Sequence, residues 1–359
     1  MRIGSVPNRI STARITAADV ARKAGVSQPT VSLVLSKNPH ARVAKATRAR
    51  VLAVAKELGY RPNRLAQGLV HQRSFALGVI VPGFANPVYA NIVSGAERVA
   101  SEQGYAVLLC ETEQVNAEQH LHALIDRQVD GVVIAGVAAS TLPTADLARL
   151  NVVLVNQSAD GHTAVASDSQ GAGRIAARHL IDLGHTRIAF IGPSTSLPAY
   201  RLRERGFGEE LQSAGITPAS DYWRRADANV AAGAAAMRAL LDLALPPTAV
   251  FCATDVVALG AHKEASRAGL RLGVDLSIMG CDDIEMDTLV SPELTSIRTP
   301  QRELGARAVR MLIEGIERDG EREPTVQILP VKLVRRGSTG RPPSQQPPPS
   351  HRQKARRKS

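Results

Sequence analysis

Two patterns of apolar residues divide the sequence and predict an all-α helix-turn-helix head followed by an α/β core of two doubly wound parallel-sheet lobes. In residues 16–58, apolar side chains recur at helical spacing in three short segments. From Ser74 onward, short apolar runs such as LGVIV, GVVIA and VVLVN alternate with amphipathic helical segments. Strands that alternate with helices pair in parallel, because each helix carries the chain back to the same end of the sheet.

The head begins with two short helices joined by a glycine turn. Thr16 is placed to cap the first helix, which runs to Ala24, and Gly25 breaks it. Ser27 can cap the second helix, in which Pro29 occupies the tolerant first turn. A third amphipathic helix, roughly residues 44–58, closes a small apolar core.

In a helix-turn-helix, the second helix enters the major groove of DNA. Its early polar residues, Gln28, Thr30 and Ser32, are therefore expected to face bases and phosphates. Residues 1–73 carry 14 Lys or Arg and 2 Asp or Glu, which favours a polyanionic partner for this end of the chain. Three short helices could instead form a protein-binding bundle, an alternative that this excess of positive charge disfavours.

A basic segment, Tyr60 to Arg73, lies between the head and the core. Pro62 discourages the preceding helix from continuing, and residues 63–70 have the composition of a helix about two turns long. So short a helix needs a partner, and a DNA minor groove with Leu69 as an apolar wedge is one. The alternative is an ordinary charged linker. The predicted divisions are a basic lead-in (1–14), the head (15–60), a hinge helix or linker (61–73), the core (74–339) and a disordered basic tail (340–359).

The alternating runs of the core predict two lobes. They extend roughly from Phe75 to Ala164 and from Val165 to Asp287, with a last portion that returns from Leu294 to Val334. Doubly wound sheets bind ligands at the carboxyl ends of their strands. A cleft between the two lobes is therefore the expected small-molecule site.

One glycine pattern in the core is a weak signal for a nucleotide site. GAGRIA, residues 171–176, fits the dinucleotide fingerprint G-x-G-x-x-A, but it does not follow its strand directly and no ribose-binding carboxylate follows the next strand. Close packing of a helix over residues 171–183 is the better explanation. His179 and His185 are too isolated from other ligand types for a metal site, and we expect neither a metal nor a cofactor.

The composition of the whole chain excludes several classes of protein. With 359 residues, 44% of them hydrophobic, and no apolar run near 18 residues, the chain is expected to form sizeable cores and to span no membrane. The N-terminus lacks the apolar core of a secretory signal, and the three cysteines are scattered, so a cytoplasmic location is expected. Residues 335–359 carry 8 Lys or Arg and no acidic residue.

Two stretches, TAADVARKAGVSQPTVSLVLS and TRARVLAVAKELGYRPNRLAQGL, resemble the head and hinge of the LacI/GalR family of bacterial transcription regulators. The resemblance continues to about residue 339. This sequence departs from the family pattern at Leu33, where many members have arginine, at Ser36, where asparagine is common, and at Ala44, where a serine usually caps the third helix. The DNA-binding residues that the resemblance implies are Thr16, Ser27, Gln28, Pro29, Thr30 and Ser32 in the head and Asn63, Ala66 and Leu69 in the hinge.

The resemblance also implies a periplasmic-binding-protein-like core with an effector site. An arginine fork and aspartate oxygens can hold adjacent hydroxyls of a sugar or the carboxylate of a sugar acid. Read without the family, Arg203 and Asp282 would be surface charges or a structural pair. Cys281 is interpreted as a small buried thiol rather than an oxidation sensor. The implied effector residues are Phe84, Asn86, Asn156, Arg203, Thr254, Asp255 and Asp282, with Thr254 in place of a frequent asparagine and Ala228 in place of an aromatic platform.

Together these features predict a homodimeric repressor that binds near-palindromic operator DNA, responds to a small sugar-like effector and is not an enzyme. The dimer follows from the absence of the leucine heptads that tetrameric members append. One alternative is a sugar-binding transport or chemoreceptor protein with the same core, against which the basic head argues. A dinucleotide-dependent enzyme is the other. By analogy with the family, the effector is expected to act as an inducer that releases the DNA.

Overall fold

The structure is a computed structural model that describes residues 15–35, 43–60, 73–112, 116–157, 161–193, 197–318 and 323–343. The chain separates into two compact units, Met1–Ser74 and Phe75–Ser359. The predicted lead-in (residues 1–14) and the predicted hinge residues Asn63, Ala66 and Leu69 lie outside the described residues. None of the described helices is both long enough and apolar enough to cross a membrane.

The first unit is the predicted three-helix head, with α1 (Ala17–Ala24), α2 (Gln28–Leu35) and α3 (Lys45–Glu57). Thr16 caps α1 in a capping box: its Oγ1 accepts from the Asp19 amide at 3.3 Å, and its own amide donates to Asp19 Oδ2 at 3.0 Å. Gly25 ends the helix with φ +61°, a left-handed conformation that glycine adopts at little cost. The apolar side chains of the three helices close one core, Val20, Ala21, Ala24, Val31, Val34, Val51 and Ala55.

The third helix begins without a side-chain cap. Ala44 occupies the N-cap position, where its methyl group accepts no hydrogen bond from the first turn. This agrees with the departure at this position noted in the sequence.

The second unit contains two six-stranded sheets and the helices that cover them. The strands are β1 (Ala76–Val81), β2 (Ala106–Glu111), β3 (Gly131–Ala135), β4 (Val152–Val155), β5 (Thr163–Ser167), β6 (Ile188–Gly192), β7 (Trp223–Arg225), β8 (Ala249–Cys252), β9 (Ser277–Asp282), β10 (Thr295–Arg298), β11 (Val326–Leu329) and β12 (Lys332–Val334). The α-helices are α4 (Pro87–Glu102), α5 (Ala117–Asp126), α6 (Thr144–Leu147), α7 (Ser169–Asp182), α8 (Pro198–Ser213), α9 (Val230–Leu241), α10 (Asp255–Arg267) and α11 (Gln301–Glu317).

The strands of the two sheets follow one another in corresponding order. Their strand orders are β2-β1-β3-β4-β5-β11 and β7-β6-β8-β9-β10-β12, and all described pairs are parallel except β10 with β12. In each lobe the strand order reverses beside the first strand, β1 or β6. Such a switch point opens a crevice at the carboxyl ends of the strands, which confirms the doubly wound prediction.

The predicted boundary between the lobes, Ala164 with Val165, is wrong. Strand β5 continues through it to Ser167 and pairs with β4 in the first sheet, with Val155 opposite Val165. The returning segment is also divided, since β10 and β12 join the second sheet while α11 packs on α4 and β11 joins the first sheet. The chain therefore passes between the lobes three times, near residues 168, 299 and 330. No local signal marks these crossings, because tertiary packing decides which sheet a strand joins.

The end of the core extends past the predicted start of the tail at residue 340. His185 Nε2 donates to the Gly340 carbonyl oxygen at 2.9 Å, and the Gly340 amide donates to Ser277 Oγ at 3.0 Å. His179 Nε2 lies 2.9 Å from Thr339 Oγ1, and burial lowers the pKa of His179 to about 4. Both histidines thus hold residues 339–340 against the second lobe. Among the described residues no cluster of three His, Cys, Asp or Glu could hold a metal ion.

Candidate functional site

The second helix of the head presents an uncharged outer face. Gln28, Pro29 and Ser32 are exposed, whereas Val31 and Val34 are buried. Ser27 Oγ accepts from the Thr30 amide at 3.3 Å and lies 2.8 Å from Thr30 Oγ1. Thr16 is also exposed, although its hydroxyl already bonds to Asp19. The six head residues expected to contact DNA therefore lie at the surface or partly exposed.

The charge of the described part of the head favours a polyanion. Six basic residues stand against two acidic ones, and one acidic residue, Glu57, pairs with Lys23 at 2.6 Å between α1 and α3. The excess of positive charge remains when this ion pair is set aside. A helix that exposes polar residues on a positively charged domain is the arrangement that helix-turn-helix heads use in a major groove.

In the core, a buried cavity lies where the carboxyl ends of the two sheets meet. Asn86 follows β1 and caps α4, with Oδ1 accepting from the Val88 amide at 3.1 Å. Asn156 follows β4, and Asp282 is the last residue of β9. Arg203 lies on α8, the helix after β6. Four of the seven residues proposed for the effector site thus line one cavity.

Arg203 and Asp282 form a buried pair that is only partly satisfied. They are 2% and 5% exposed, and Arg203 Nη2 lies 3.6 Å from Asp282 Oδ1, too far for a hydrogen bond. Arg203 Nη1 donates to the Ala253 carbonyl oxygen, while its Nε has no hydrogen-bond partner among the described residues. Burial raises the pKa of Asp282 to about 7, against the opposite effect of the Arg203 charge. The pair retains donors and acceptors for a further polar group.

The backbone that positions these side chains is strained. Asn156 has φ +56°, Asp282 φ +134° and Asp283 φ +58°, a region that residues with a Cβ rarely adopt. Asp283 is held by Arg298 and by Arg336, whose Nη2 lies 2.6 Å from Asp283 Oδ1. Local strain of this kind is characteristic of ligand sites, where the surrounding structure compensates for its cost.

Two tyrosines that sequence reasoning missed close the cavity. Tyr89 and Tyr200 both line it, and the Tyr200 ring lies 5.6 Å from the Arg203 guanidinium carbon. Burial raises the pKa of both tyrosines, so both are neutral near pH 7. Their spacing was a usable signal, because Tyr89 lies three residues after Asn86 and Tyr200 three before Arg203, each near the same face of its helix.

The tyrosines also separate the cavity from an open cleft. The cavity measures about 30 Å³ and the neighbouring cleft about 270 Å³, and Tyr89, Tyr200 and Leu197 line both. Small-molecule sites usually measure about 300–1,000 Å³. The cavity alone is too small for a sugar, whereas the two volumes joined by movement of a tyrosine reach the lower end of that range.

A third missed residue connects the two lobes beside the cavity. Gln301 lies at the start of α11, directly after one crossing between the lobes. Its Nε2 donates to the Asp282 carbonyl oxygen at 2.6 Å, and its Oε1 accepts from Asn91 Nδ2 at 2.7 Å. Since Asn91 belongs to the first lobe and Asp282 to the second, this buried amide bridges the lobes. Nothing in the local sequence pattern distinguishes it.

The other proposed effector residues lie elsewhere. Phe84 is 41% exposed and does not line the cavity. Thr254 caps α10 by accepting from the Val257 amide at 3.4 Å. Asp255 is fully buried, where its carboxylate accepts from the Ile284 amide at 3.2 Å and from Ser296 Oγ at 2.7 Å. Both residues stabilise the second lobe, and neither lines the cavity.

Two further features of the second lobe agree with their structural interpretation. Cys281 is fully buried, and burial raises the pKa of its thiol well above the usual value, so the reactive thiolate is suppressed. In GAGRIA, a Cβ added to Gly173 would lie 2.0 Å from the Arg203 carbonyl oxygen. Gly173 therefore permits α7 and α8 to touch, and it does so directly behind the cavity arginine.

Comparisons with known proteins find relatives that match both the head and the core of this chain. Residues 16–63 match the model of bacterial regulatory proteins, lacI family, and residues 177–339 match the periplasmic binding protein-like domain. The ribose operon repressor of Escherichia coli (strain K12) is 35% identical over 332 residues, covering 90% of this chain and 99% of that protein. A lac repressor dimer bound to operator and the anti-inducer ONPF is similar with a TM-score of 0.78 and 31% identity, covering 91% of this chain and 99% of that one. A LacI family regulator from Enterococcus faecium with bound ribose has a TM-score of 0.67 and 29% identity, covering 74% of this chain and 98% of that one.

Proposed function

We propose that this chain, which belongs to the lacI family of bacterial regulatory proteins, represses transcription as an operator-bound dimer and releases the DNA when a sugar or sugar acid occupies its core. Family membership establishes the general function, since the chain is a sequence-specific DNA-binding regulator of transcription. The relatives compared above are regulators rather than enzymes. In our proposal the core likewise binds its small molecule without transforming it.

The incompletely paired Arg203 beside Asp282 carries the proposal for the effector site. A buried donor without a partner costs about 1–3 kcal/mol, and more when it is charged. Hydroxyl or carboxylate oxygens of a ligand could accept from the Nε and Nη2 atoms of Arg203, and a hydroxyl could donate to Asp282. A polyhydroxylated ligand would therefore recover energy that the buried pair lacks, whereas an apolar ligand of the same size would not.

The volume of the site supports the same class of ligand. We propose that the effector occupies the joined cavity and cleft, with Asn86 and Asn156 as further polar contacts and Tyr89 and Tyr200 as its walls. Aromatic walls pack on the C–H faces of sugars, while the polar groups fix orientation. The ribose repressor and the ribose-bound regulator among the relatives make ribose a reasonable first probe.

On the DNA side, we propose that Thr16, Ser27, Gln28, Pro29, Thr30 and Ser32 contact the major groove and its phosphates, and that Asn63, Ala66 and Leu69 contact the minor groove. Each head offers one short recognition helix, so useful affinity needs two heads. A two-fold dimer then selects a near-palindromic operator, as the lac repressor dimer among the similar structures is itself bound to an operator.

The test combines operator selection with effector binding. The full chain selects an operator from a library of random duplexes, and thermal shift identifies a ligand among neutral pentoses, neutral hexoses and their carboxylated derivatives. Calorimetry then compares the parent with Arg203→Ala and Asp282→Asn. Arg205→Ala, an exposed arginine two residues along the same helix, is the matched control. Because a charged hydrogen bond is worth about 1.5–3 kcal/mol, Arg203→Ala should weaken the effector at least tenfold.

The outcomes separate the two halves of the function. Arg203→Ala should bind the selected operator as the parent does but no longer release it on addition of ligand, while Arg205→Ala should behave as the parent. Operator binding also shows that each variant is folded, which matters because removing Arg203 leaves Asp282 buried without its partner. Unaltered ligand affinity in both Arg203→Ala and Asp282→Asn would refute the site. Failure to select any operator would refute the DNA-binding proposal.

A further inference from the structure

Leu33 lies on the outer face of the second helix of the head. At about 100° per residue, positions 28, 32, 29 and 33 of α2 fall at about 0°, 40°, 100° and 140° around the helix, and the buried positions 34 and 31 fall at about 240° and 300°. Leu33 thus lies about 50° from the centre of the outward face. Its side chain is 40% exposed, on a helix that has no charged residue.

This exposed leucine adjoins residues that we assign to the operator. Gln28, Pro29 and Ser32 share its face, so a helix laid in a major groove with those residues toward the bases brings Leu33 to the base edges as well. Its apolar side chain has no hydrogen bond to offer there. The one apolar group in the major groove is the 5-methyl group of thymine.

We propose that Leu33 is a specificity residue that contacts a thymine methyl group in each operator half-site. The proposal rests on the DNA-binding function and adds the base that this position selects. Contact with the methyl group removes apolar surface of both partners from water, while a guanine or cytosine at the same place would set polar base atoms against the leucine and leave them without a partner. Leu33 therefore selects thymine both by attraction and by the cost of the alternatives.

The charge around the helix indicates DNA rather than another protein as the partner of this surface. Basic residues outnumber acidic ones six to two in the described part of the head, and all eight lie on α1 and α3. Arg48 of α3 reaches α2, where its Nη1 donates to the Val34 carbonyl oxygen at 3.5 Å. An apolar residue on an uncharged helix that is flanked by two positively charged helices suits a groove lined by phosphates. A protein interface would be expected to surround it with further apolar side chains.

The first experiment identifies the base. Parent, Leu33→Ala and Leu33→Arg chains each select duplexes from one random library at one salt concentration, because phosphate contacts make affinity salt-dependent. Leu52→Ala removes another exposed leucine, 47% exposed on α3, and serves as the matched control. We expect the parent and Leu52→Ala to select thymine at one position of each half-site. Leu33→Ala should lose that preference, and Leu33→Arg should replace it by guanine, which arginine recognises through two acceptors.

The second experiment removes only the methyl group. Each thymine of the selected half-site is replaced in turn by deoxyuridine, and affinity is measured for the parent and for Leu33→Ala. One buried methyl is worth about a fourfold change in affinity, so substitution in both half-sites should weaken the parent about fifteenfold. Leu33→Ala should respond less than twofold to the same change, and its binding to nonspecific DNA, which reports a folded head, should equal that of the parent.

The results distinguish the contact from the function on which it depends. If every thymine-to-deoxyuridine change affects parent and Leu33→Ala equally, the contact is refuted while the DNA-binding function stands. If the parent selects no duplex at all, the DNA-binding function fails and the contact with it.

Discussion

The pKa of Asp282 predicts that effector affinity depends on pH, and the sign of the dependence identifies the class of effector. Burial raises the pKa of Asp282 to about 7, so the carboxyl is about 10% ionised at pH 6 and about 90% at pH 8. A neutral sugar that donates a hydroxyl to Asp282 favours the ionised form. A sugar acid, whose own carboxylate lies near the same group, favours the protonated form.

The expected magnitude follows from the linkage between binding and protonation. If only one form of Asp282 binds, affinity changes about tenfold between pH 6 and pH 8. A neutral sugar should bind more tightly as pH rises through 7 and release about half a proton at pH 7. A sugar acid should bind more weakly as pH rises and take up about half a proton. Calorimetry in buffers of different ionisation enthalpy measures the number of protons and its sign directly.

Among the titratable groups that line the cavity, Asp282 is the one whose pKa lies in this window. Asp255 does not line the cavity, but it interacts electrostatically with Asp282, and burial raises its pKa as well. Arg203 stays charged, and burial raises the pKa of Tyr89, Tyr200 and Cys281 above their ordinary values, so all three remain neutral. Asp282→Asn, which cannot ionise, should bind with little change of affinity between pH 6 and pH 8. A pH dependence that persists unchanged in Asp282→Asn, or a parent with no dependence, would refute this reasoning.

Two further predictions test the packing that positions both sites. Ala44→Ser should give α3 its missing N-cap and stabilise that helix by about 0.5–1 kcal/mol, measured as slower amide hydrogen exchange in its first turns. The control Ala53→Ser, at an exposed position in the middle of the helix, should not slow the exchange, and equal or faster exchange in Ala44→Ser would contradict the cap. Gly173→Ala should destabilise the core by about 1–3 kcal/mol in urea unfolding and weaken effector binding, because the added Cβ would clash with the Arg203 carbonyl oxygen. The control Gly208→Ala on α8, whose added Cβ would have no neighbour nearer than 4.0 Å, should be neutral or stabilising. Equal effects of the two substitutions would refute the close approach.

Local signals in the sequence predicted most of the head and the strands of the core. Helix caps such as Thr16 and Gly25, like the apolar spacing of α1 and α2, depend on residues only a few positions apart. Capping residues and helical periodicity in the sequence report such short-range preferences. The buried parallel strands are recognisable in the sequence as continuous apolar runs, because a parallel sheet that is covered on both faces buries both sides of its strands. These local signals do not show which sheet β5 and β11 join, because the sequence of each strand is compatible with either sheet.

The candidate effector site shows the same division. The family resemblance implied Asn86, Asn156 and Asp282 as effector residues, and the expected ligand position at the carboxyl ends of parallel strands agrees with it. The resemblance treated Thr254 and Asp255 alike, yet the structure turns their side chains to helix capping and to a buried hydrogen-bond network. Which face a residue presents at the end of a strand depends on local backbone torsions and on neighbours that are distant in sequence. A single sequence holds no such information.

The energy available at Arg203 is of the size that an effector-controlled switch requires. In the described arrangement Gln301 bridges the lobes and the two tyrosines reduce the cavity to about 30 Å³, so a sugar fits only an arrangement in which that closure has changed. A ligand shifts a population only by its difference in affinity for the two arrangements. Converting a ratio of ten to one into one to ten takes a hundredfold preference, or about 2.7 kcal/mol. Two charge-assisted hydrogen bonds to Arg203, at about 1.5–3 kcal/mol each, would supply that preference if they form in only one arrangement. In our proposal, this one buried side chain therefore suffices to couple effector binding to the state of the core.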